Sequence, residues 1–172
     1  FNINSRVLEQ NQSFIANERA IEQFKRLLIS LEISEMDTNS IIDQIIDWID
    51  TDDQPRANGF EDYFYTGPIN FRPMYTNKRL LINLSELNNL PIFKDLTDSM
   101  LFENVCVYPL SYSNEVNINT MDADDNYFLT SIFPNISLTD AEFIISKIPE
   151  NGFKTTDAVS YTHLRAHETG WY

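Results

Sequence analysis

The pattern of apolar and polar positions predicts a mainly helical protein in which the first two helices form a pair. Asn17 is placed to cap a helix with one apolar stripe. The stripe is formed by Ala20, Ile21, Phe24, Leu27, Leu28 and Leu31. The second helix is predicted over residues 40–50, with Asp37 or Thr38 as its N-cap.

A second pair of helices is predicted over residues 122–133 and 138–148. Each pair follows a similar motif, F-N-I-N-S at residues 1–5 and V-N-I-N-T at residues 116–120. The alternation within the first motif predicts a short strand or an extended entry. The repetition of the motif indicates two copies of one small helical module.

The region between the two pairs contains shorter predicted elements. Ser85 and Glu86 open a short helix that Pro91 ends, and a helix of about ten residues is predicted from near Asp95. Residues 105–108 alternate as in a strand, and Cys106 is predicted to be buried. A single cysteine excludes an internal disulfide framework.

Residues 51–80 show no periodicity and contain several proline and glycine residues. A loop of this length within a compact domain is usually functional or disordered. Its aromatic residues argue against disorder and favour packing over the helices. They are Phe60, Tyr63, Phe64, Tyr65, Phe71 and Tyr75.

We expect residues 1–110 to form the first helical module and residues 111–158 the second. Residues 159–172 differ in character, because they hold both histidines and show no apolar period. His163 and His167 would be a metal-ligand pair if they were helical. This segment resembles translated adapter sequence, and we interpret it as a non-native tail.

The overall charge narrows the possible partners. The formal net charge is −14 and the isoelectric point is near 4.3, which argues against nucleic acids and anionic membrane surfaces, since both are polyanions. No apolar run is long enough to cross a membrane. The chain starts at Phe1 rather than Met, and we expect it to be a fragment of a longer protein.

The acidic charge is concentrated in residues 43–65, where Arg56 is the only basic residue. Asp43, Asp47 and Asp50 follow at helical spacing, so they share one helix face, where like charges repel. This crowding predicts a cation. Oxygen ligands without a nearby histidine or cysteine favour Ca²⁺ or Mg²⁺, and a flexible loop suits Ca²⁺ better.

The spacing partly matches a known calcium-binding loop. With Asp50 as the first position, Asp52 and Glu61 occupy the third and twelfth positions of an EF-hand loop. The match then fails, because Pro55 stands where the EF-hand needs glycine. A solvated acidic face without any ion is the alternative interpretation.

Three motifs together resemble a known family. They are I-I-D-W-I-D-x-D-D-x-P-R-x-x-G-x-E-D-x-F-Y at residues 45–65, L-x-x-L-S-E-L at residues 81–87, and V-N-I-N-T. In this order they resemble general secretion pathway protein K, a minor pseudopilin of type II secretion. Two positions depart from the family pattern, Phe60 in place of a small residue and Met121 in place of alanine.

The resemblance implies a mainly α fold with short β segments. Two helical modules, SAM-like or helix-hairpin-helix-like, would form the α-domain inserted in an α+β pseudopilin fold whose core is largely absent here. It also implies calcium binding through acids of the two acidic motifs. The candidate metal ligands are Asp47, Asp50, Asp52, Asp53, Glu61 and Asp62.

The resemblance further implies a non-catalytic role in protein export across the outer membrane. The protein would act at the pseudopilus tip with two other minor pseudopilins and contact secreted substrate. It would lie on the periplasmic face of the inner membrane of a Gram-negative bacterium, anchored only through an N-terminal helix missing from this fragment.

Two other functions stay open. The N-x-N-T motif before helices also resembles helix-hairpin-helix modules that bind DNA, but those need a glycine-rich hairpin that offers N–H groups to phosphate. A metal-dependent hydrolase could use two of the clustered acids. Neither alternative has further supporting residues in the sequence.

Overall fold

The structure is a computed structural model, and it describes residues 1–68, 72–96, 99–108 and 117–154. The chain divides into two compact units, Phe1–Asn114 and Glu115–Tyr172. The predicted fold class, mainly helical with short β segments, is confirmed. The likeness of the modules to SAM-like domains stays a prediction, and the histidine pair of the tail lies outside the described residues.

The core of the first unit is built on helices α1 (Glu18–Ser30) and α2 (Glu35–Ile49). The Asn17 side chain caps α1 by accepting a hydrogen bond from the Ala20 N–H, as predicted. Every residue of the predicted apolar stripe of α1 is buried. The isoleucines of α2 pack into the same core, so the helical pair is held mainly by apolar burial.

Helix α2 begins earlier than predicted. Its N-cap is Ser34, which accepts a hydrogen bond from the Asp37 N–H at 3.1 Å. The Ser34 hydroxyl in turn donates to the Asp37 carboxylate at 2.7 Å. The predicted caps, Asp37 and Thr38, therefore lie within the first turn, because their own N–H groups already donate to Ser34 and the helix begins at Glu35.

A β-hairpin that the sequence pattern did not predict precedes α1. Strands β1 (Val7–Gln10) and β2 (Ser13–Ala16) pair antiparallel, with Val7 opposite Ala16. The connecting residues Asn11 and Gln12 have φ angles of 53° and 66°. This left-handed conformation is the one that a two-residue hairpin turn requires.

The predicted extended entry at residues 1–4 is confirmed only at Asn2, which has extended backbone angles and forms a β-bridge with Cys106. Residues Ile3–Arg6 form a 3₁₀ helix, because the Asn2 side chain accepts a hydrogen bond from the Asn4 N–H at 3.2 Å. Such a local bond competes with an extended backbone. The repeated motif behaves alike, since Ile118–Thr120 is also a 3₁₀ helix and Asn117 accepts from the Asn119 N–H at 3.1 Å.

The second asparagine of each motif binds the backbone of a distant segment. The Asn4 amide donates to the Leu81 carbonyl and accepts from the Leu81 N–H, each at 2.9 Å. The Asn119 amide makes the same pair of bonds to Phe153, at 3.1 and 2.7 Å. The two motifs thus share both their local fold and their tertiary contact.

Arg6, at the end of the first motif, is fully buried between two aromatic rings. The centre of its guanidinium group lies 4.3 Å from the Phe1 ring centroid and 3.7 Å from that of Phe24. The group donates to the Asn2 and Ile3 carbonyls, and burial lowers the pKa of Arg6. Cation–π contact and these bonds replace an acidic partner.

The middle of the first unit contains short elements. They are α3 (Asp62–Tyr65), a 3₁₀ helix at Leu84–Asn89, α4 (Ile92–Asp95) and α5 (Ser99–Glu103). The short helix opened by Ser85 and Glu86 is confirmed. The helix of about ten residues predicted from near Asp95 is shorter in the structure, since α5 covers Ser99–Glu103 and the extended conformation of Leu96 ends α4.

The predicted strand over residues 105–108 is reduced to one bridge. Asn2 pairs in parallel with Cys106, through bonds from the Ile3 N–H to the Cys106 carbonyl and from the Cys106 N–H to the Phe1 carbonyl. The pairing stops because the 3₁₀ helix begins at Ile3. Cys106 is half-buried rather than buried.

The second unit contains a 3₁₀ helix at Ala123–Asp125, followed by α6 (Asn126–Ile132) and α7 (Leu138–Ser146). The predicted helical pair is confirmed, although α7 ends two residues before the predicted end, as expected for a helix that precedes Pro149. Leu129, Ala141 and Ile144 form its small core. Ser137 caps α7 in a reciprocal arrangement with Asp140.

Substitution of Asn4 and of Asn119 should lower the free energy of unfolding by unequal amounts. Asn4 is fully buried, so Asn4→Ala leaves the Leu81 backbone groups unpaired and should lower the free energy of unfolding by about 2–4 kcal/mol. Asn119 is exposed, and Asn119→Ala is the matched control, with a loss below about 1 kcal/mol because water replaces the amide. Urea unfolding followed by circular dichroism measures both values. Equal losses would contradict the assignment.

Candidate metal site

The candidate site forms where α2 ends. Asp43 and Asp47 lie on the acidic face of α2, and Asp50 is the residue at its C-cap. Residues 51–61 fold back over this face, so that Asp47 is fully buried and Asp50 is 5% exposed. The alternative of a solvated acidic face is therefore wrong for these residues.

The loop is held on α2 by hydrogen bonds to Asp43 and Asp47. The Arg56 Nε donates to Asp43 Oδ1 at 2.9 Å, and the Asn58 N–H and Nδ2 both donate to Asp43 Oδ2. The Arg56 N–H donates to Asp47 Oδ2 at 3.0 Å. Arg56 thus neutralises Asp43, which lies one helical turn before Asp47.

Gly59 allows the loop to approach α2 closely. A Cβ atom at this position would lie 2.0 Å from Asp47 Oδ2 and 3.0 Å from the Asp43 carbonyl oxygen. No side chain fits into that space without moving the Asp47 carboxylate. The glycine of the G-x-E-D motif is therefore needed for the loop to reach the acidic face.

Three carboxylates meet beside this contact and form what we call the carboxylate cluster: Asp50, Asp52 and Glu61. Each offers one oxygen, and these oxygens all lie within 4.8 Å of one another. They are the three positions that the EF-hand spacing singled out in the sequence. The structure brings them together although the intervening loop is not an EF-hand.

The buried members of the cluster have unpaired oxygen atoms. Asp50 Oδ1 and both carboxylate oxygens of Glu61 are buried and accept no hydrogen bond from any residue that the structure describes. Asp52 is exposed and accepts from the Gln54 N–H at 2.7 Å. A buried carboxylate oxygen without a partner is unfavourable, so the cluster is suited to receive a cation.

The raised pKa values of the buried acids reflect the same unfavourable burial of negative charge. Burial, followed by the charges of Asp52, Asp47 and Glu61, raises the pKa of Asp50 to about 8. Burial and the charge of Asp47 raise the pKa of Glu61 to about 7. Burial also raises the pKa of Asp47 to about 6, against the opposing hydrogen bond from Arg56. A bound cation would favour the ionised forms.

The remaining candidate ligands bind other groups. Asp53 is exposed and forms an ion pair with Lys78, and Asp62 Oδ1 accepts from the Thr76 N–H and hydroxyl at 2.7 and 2.8 Å. Asp47 is next to the cluster, but its oxygens accept from Arg56. The structure thus groups three of the six predicted residues, Asp50, Asp52 and Glu61, and gives protein partners to the others.

Two aromatic residues near the site were not singled out in the sequence as part of it. The rings of Trp48 and Tyr65 meet edge to face with centroids 5.1 Å apart. The Trp48 Nε1 and the Tyr65 hydroxyl are buried and make no hydrogen bond within the described part of the chain. Burial and the charges of Asp47 and Glu61 raise the pKa of Tyr65.

The predicted aromatic packing over the helices holds for part of the set. Tyr65 is buried against Trp48, and Phe60 stacks on Phe64 with ring centroids 3.9 Å apart. Tyr63 and Tyr75 are exposed, and Phe71 lies outside the described residues. Because Trp48 lies at the end of α2, its fluorescence can report on the site.

The donor set defines the chemistry of the site. The cluster offers only carboxylate oxygens, which suit hard divalent cations, and backbone carbonyls or water could complete the six to eight ligands of Ca²⁺. Asp50, Asp52 and Glu61 would hold the ion.

Among the described residues, no helix is both long and apolar enough to cross a membrane.

Comparison with known proteins gives the fold and site a family context. The family model for type II secretion system protein K matches residues 1–110. The chain is 27% identical over 169 residues to type II secretion system protein K of Pectobacterium carotovorum, covering 95% of this chain and 50% of that protein. It is 31% identical over 136 residues to the Dickeya chrysanthemi protein of that name, covering 78% of this chain and 36% of that protein.

A solved structure shares the fold. It is the GspK-GspI-GspJ complex of enterotoxigenic Escherichia coli, which matches with a TM-score of 0.70 and 23% identity over 92% of this chain and 53% of that chain. The fold and the matches together define a component of a bacterial protein-secretion system. The chain belongs to the type II secretion system protein K family. It spans half or less of the length of the two relatives described.

The raised pKa values predict an unusual pH dependence for the metal-free protein. Asp50 and Glu61 bind protons more tightly in the folded state than in the unfolded chain, where carboxyl pKa values are about 4. Their contribution to stability is present below about pH 4 and is lost as the pH rises to about 8. Chemical unfolding in chelator at several pH values measures this loss.

Asp50→Asn is the control for this pH dependence, because it removes the strongest contribution and should flatten the profile. Saturating Ca²⁺ should remove the loss in the unmodified protein, since the cation favours the ionised carboxylates. A metal-free profile that rises between pH 5 and pH 8, with no difference between the two proteins, would contradict the assignment.

Proposed function

We propose that this chain is the calcium-binding helical domain of a minor pseudopilin, with a structural role in type II protein secretion. Membership of the protein K family supports the secretion role. The observation that carries the calcium proposal is the set of buried, unpaired carboxylate oxygens, Asp50 Oδ1 and both of Glu61, beside Asp52. Calcium bound there would neutralise the cluster and fix the loop on α2.

The site has a role in the fold because its ligands come from separate places. Asp50 ends α2, Asp52 belongs to the loop, and Glu61 immediately precedes α3. A cation bound by all three would join the end of α2 to the start of α3 across the loop. The ion would therefore act as a structural brace rather than as a catalytic group.

Membership of the protein K family is also the basis for a proposal on the location of the protein and its binding partners. We propose a position on the periplasmic face of the inner membrane, at the pseudopilus tip, with two other minor pseudopilins and in contact with secreted substrate. The related Escherichia coli structure, in which GspK is in complex with GspI and GspJ, supports the proposal of two partners. The relatives are named as secretion proteins, which favours this role over nucleic-acid binding or hydrolysis.

Calcium should raise the melting temperature of this protein, and chelator should lower it. A ligand at a hundredfold excess over its Kd stabilises the native state by about 2.7 kcal/mol. Glu61→Gln should abolish the response, and without metal this variant should be more stable than the unmodified protein at pH 8, because a buried charge is removed. Calorimetry and thermal melting measure both effects.

Two matched controls separate ligand loss from general charge loss. Asp53→Asn changes a residue of the same loop that is outside the cluster and removes its ion pair with Lys78, and Glu22→Gln changes an exposed residue of α1. Both variants should keep the calcium response. If calorimetry detects no calcium binding at millimolar concentration, or if Glu61→Gln binds as tightly as the unmodified protein, the calcium proposal fails.

The partner proposal predicts a ternary complex. The full-length protein, mixed with the two other minor pseudopilins of the same secretion system, should elute with both in size-exclusion chromatography. Omitting one partner at a time gives the control. Separate elution of all three proteins at micromolar concentration would contradict the proposed assembly.

A further inference from the structure

Thr51 joins the carboxylate cluster to the β-hairpin. Thr51 stands between two cluster members, Asp50 and Asp52. Its N–H donates to the Phe14 carbonyl at 3.2 Å, and its Oγ1 accepts from the Phe14 N–H at 3.1 Å. Both backbone groups of Phe14, in the middle of β2, therefore bond to Thr51.

The hairpin needs such a contact. Its strands have four residues each, and a two-stranded hairpin is at best marginally stable by itself in water. Gln12 holds a left-handed φ of 66°, which is unfavourable for a residue other than glycine. Val7 is buried in the core, but Leu8 and Ile15, which face each other across the strands, are each 41% exposed, so apolar burial in the hairpin is concentrated at Val7.

We propose that cation occupancy of the carboxylate cluster controls the stability of the β1–β2 hairpin through Thr51. This inference rests on the proposed calcium site. With the cation bound, Asp50 and Asp52 are fixed on both sides of Thr51, and its bonds to Phe14 hold β2. Without the cation, the buried, unpaired oxygens of Asp50 and Glu61 have no common partner among the described residues that fixes the segment on both sides of Thr51, and the hairpin opens more often.

The coupling is reciprocal by thermodynamic necessity. If calcium favours the closed hairpin by a given factor, closure of the hairpin raises calcium affinity by the same factor. The hairpin carries the exposed Leu8 and Ile15 pair, so its stability determines the fraction of time for which this apolar surface is formed. Calcium binding at the cluster would then regulate the Leu8 and Ile15 surface through Thr51.

Hydrogen exchange of the full-length protein, followed by mass spectrometry of peptides spanning residues 7–16, tests the coupling. In the unmodified protein, calcium should slow exchange about tenfold relative to chelator, within the range of 5–150-fold typical of coupled sites. Thr51→Ala, which removes the hydroxyl but none of the carboxylates, should reduce this response to less than about twofold. Calorimetry on the same samples measures calcium binding.

Two further variants make the result specific. Thr51→Ser retains a hydroxyl at this position and should keep the response. Thr130→Ala removes a comparable hydroxyl bond, to the Tyr127 carbonyl in α6, and should also leave the response unchanged.

The two proposals fail in different ways. Calcium binding without any change in hairpin exchange overturns the coupling but leaves the calcium site intact. An unchanged response in Thr51→Ala also overturns the coupling through Thr51. An absence of calcium binding in calorimetry overturns the calcium site itself, and the coupling with it.

Discussion

The burial of carboxylates at the end of α2 is the constraint on which the first unit depends. Asp47, Asp50 and Glu61 are buried. Arg56 is the only basic residue in the acidic stretch at residues 43–65. The C-terminus of a helix also carries partial negative charge, so an acid at the C-cap adds to the repulsion. The apolar core of α1 and α2 must offset this unfavourable charge unless a cation compensates it.

Acidic side chains also give the loop its order. Residues 51–80 have no apolar periodicity, yet their backbone is fixed at several points by acidic side chains that accept hydrogen bonds. Asp47 and Asp43 bind residues 56–58, and Asp62 binds Thr76. The Trp48 carbonyl also accepts from the backbone N–H groups of residues 77 and 78. Polar contacts therefore replace an apolar core in this part of the chain.

The repeated Asn-Ile-Asn motif shows how one local structure serves two environments. In both units the first asparagine caps a 3₁₀ helix, and the second binds the backbone of a later segment. Only Asn4 is buried. The local geometry follows from the motif, whereas the energetic weight of each contact follows from how much water reaches it.

The sequence by itself determined the apolar stripe and cap of α1, the helical pair of the second unit, and the crowding of acids that indicates a cation. These features depend on residues close together in the chain, where spacing fixes which side chains share a face. It also singled out Asp50, Asp52 and Glu61 by their spacing.

Tertiary structure decided that these three residues meet, while Asp53 binds Lys78 and Asp62 binds Thr76. Likewise, the hairpin is held at Phe14 by Thr51, far along the chain. Local patterns do not encode such choices, because burial and long-range hydrogen bonds exist only once the chain has folded.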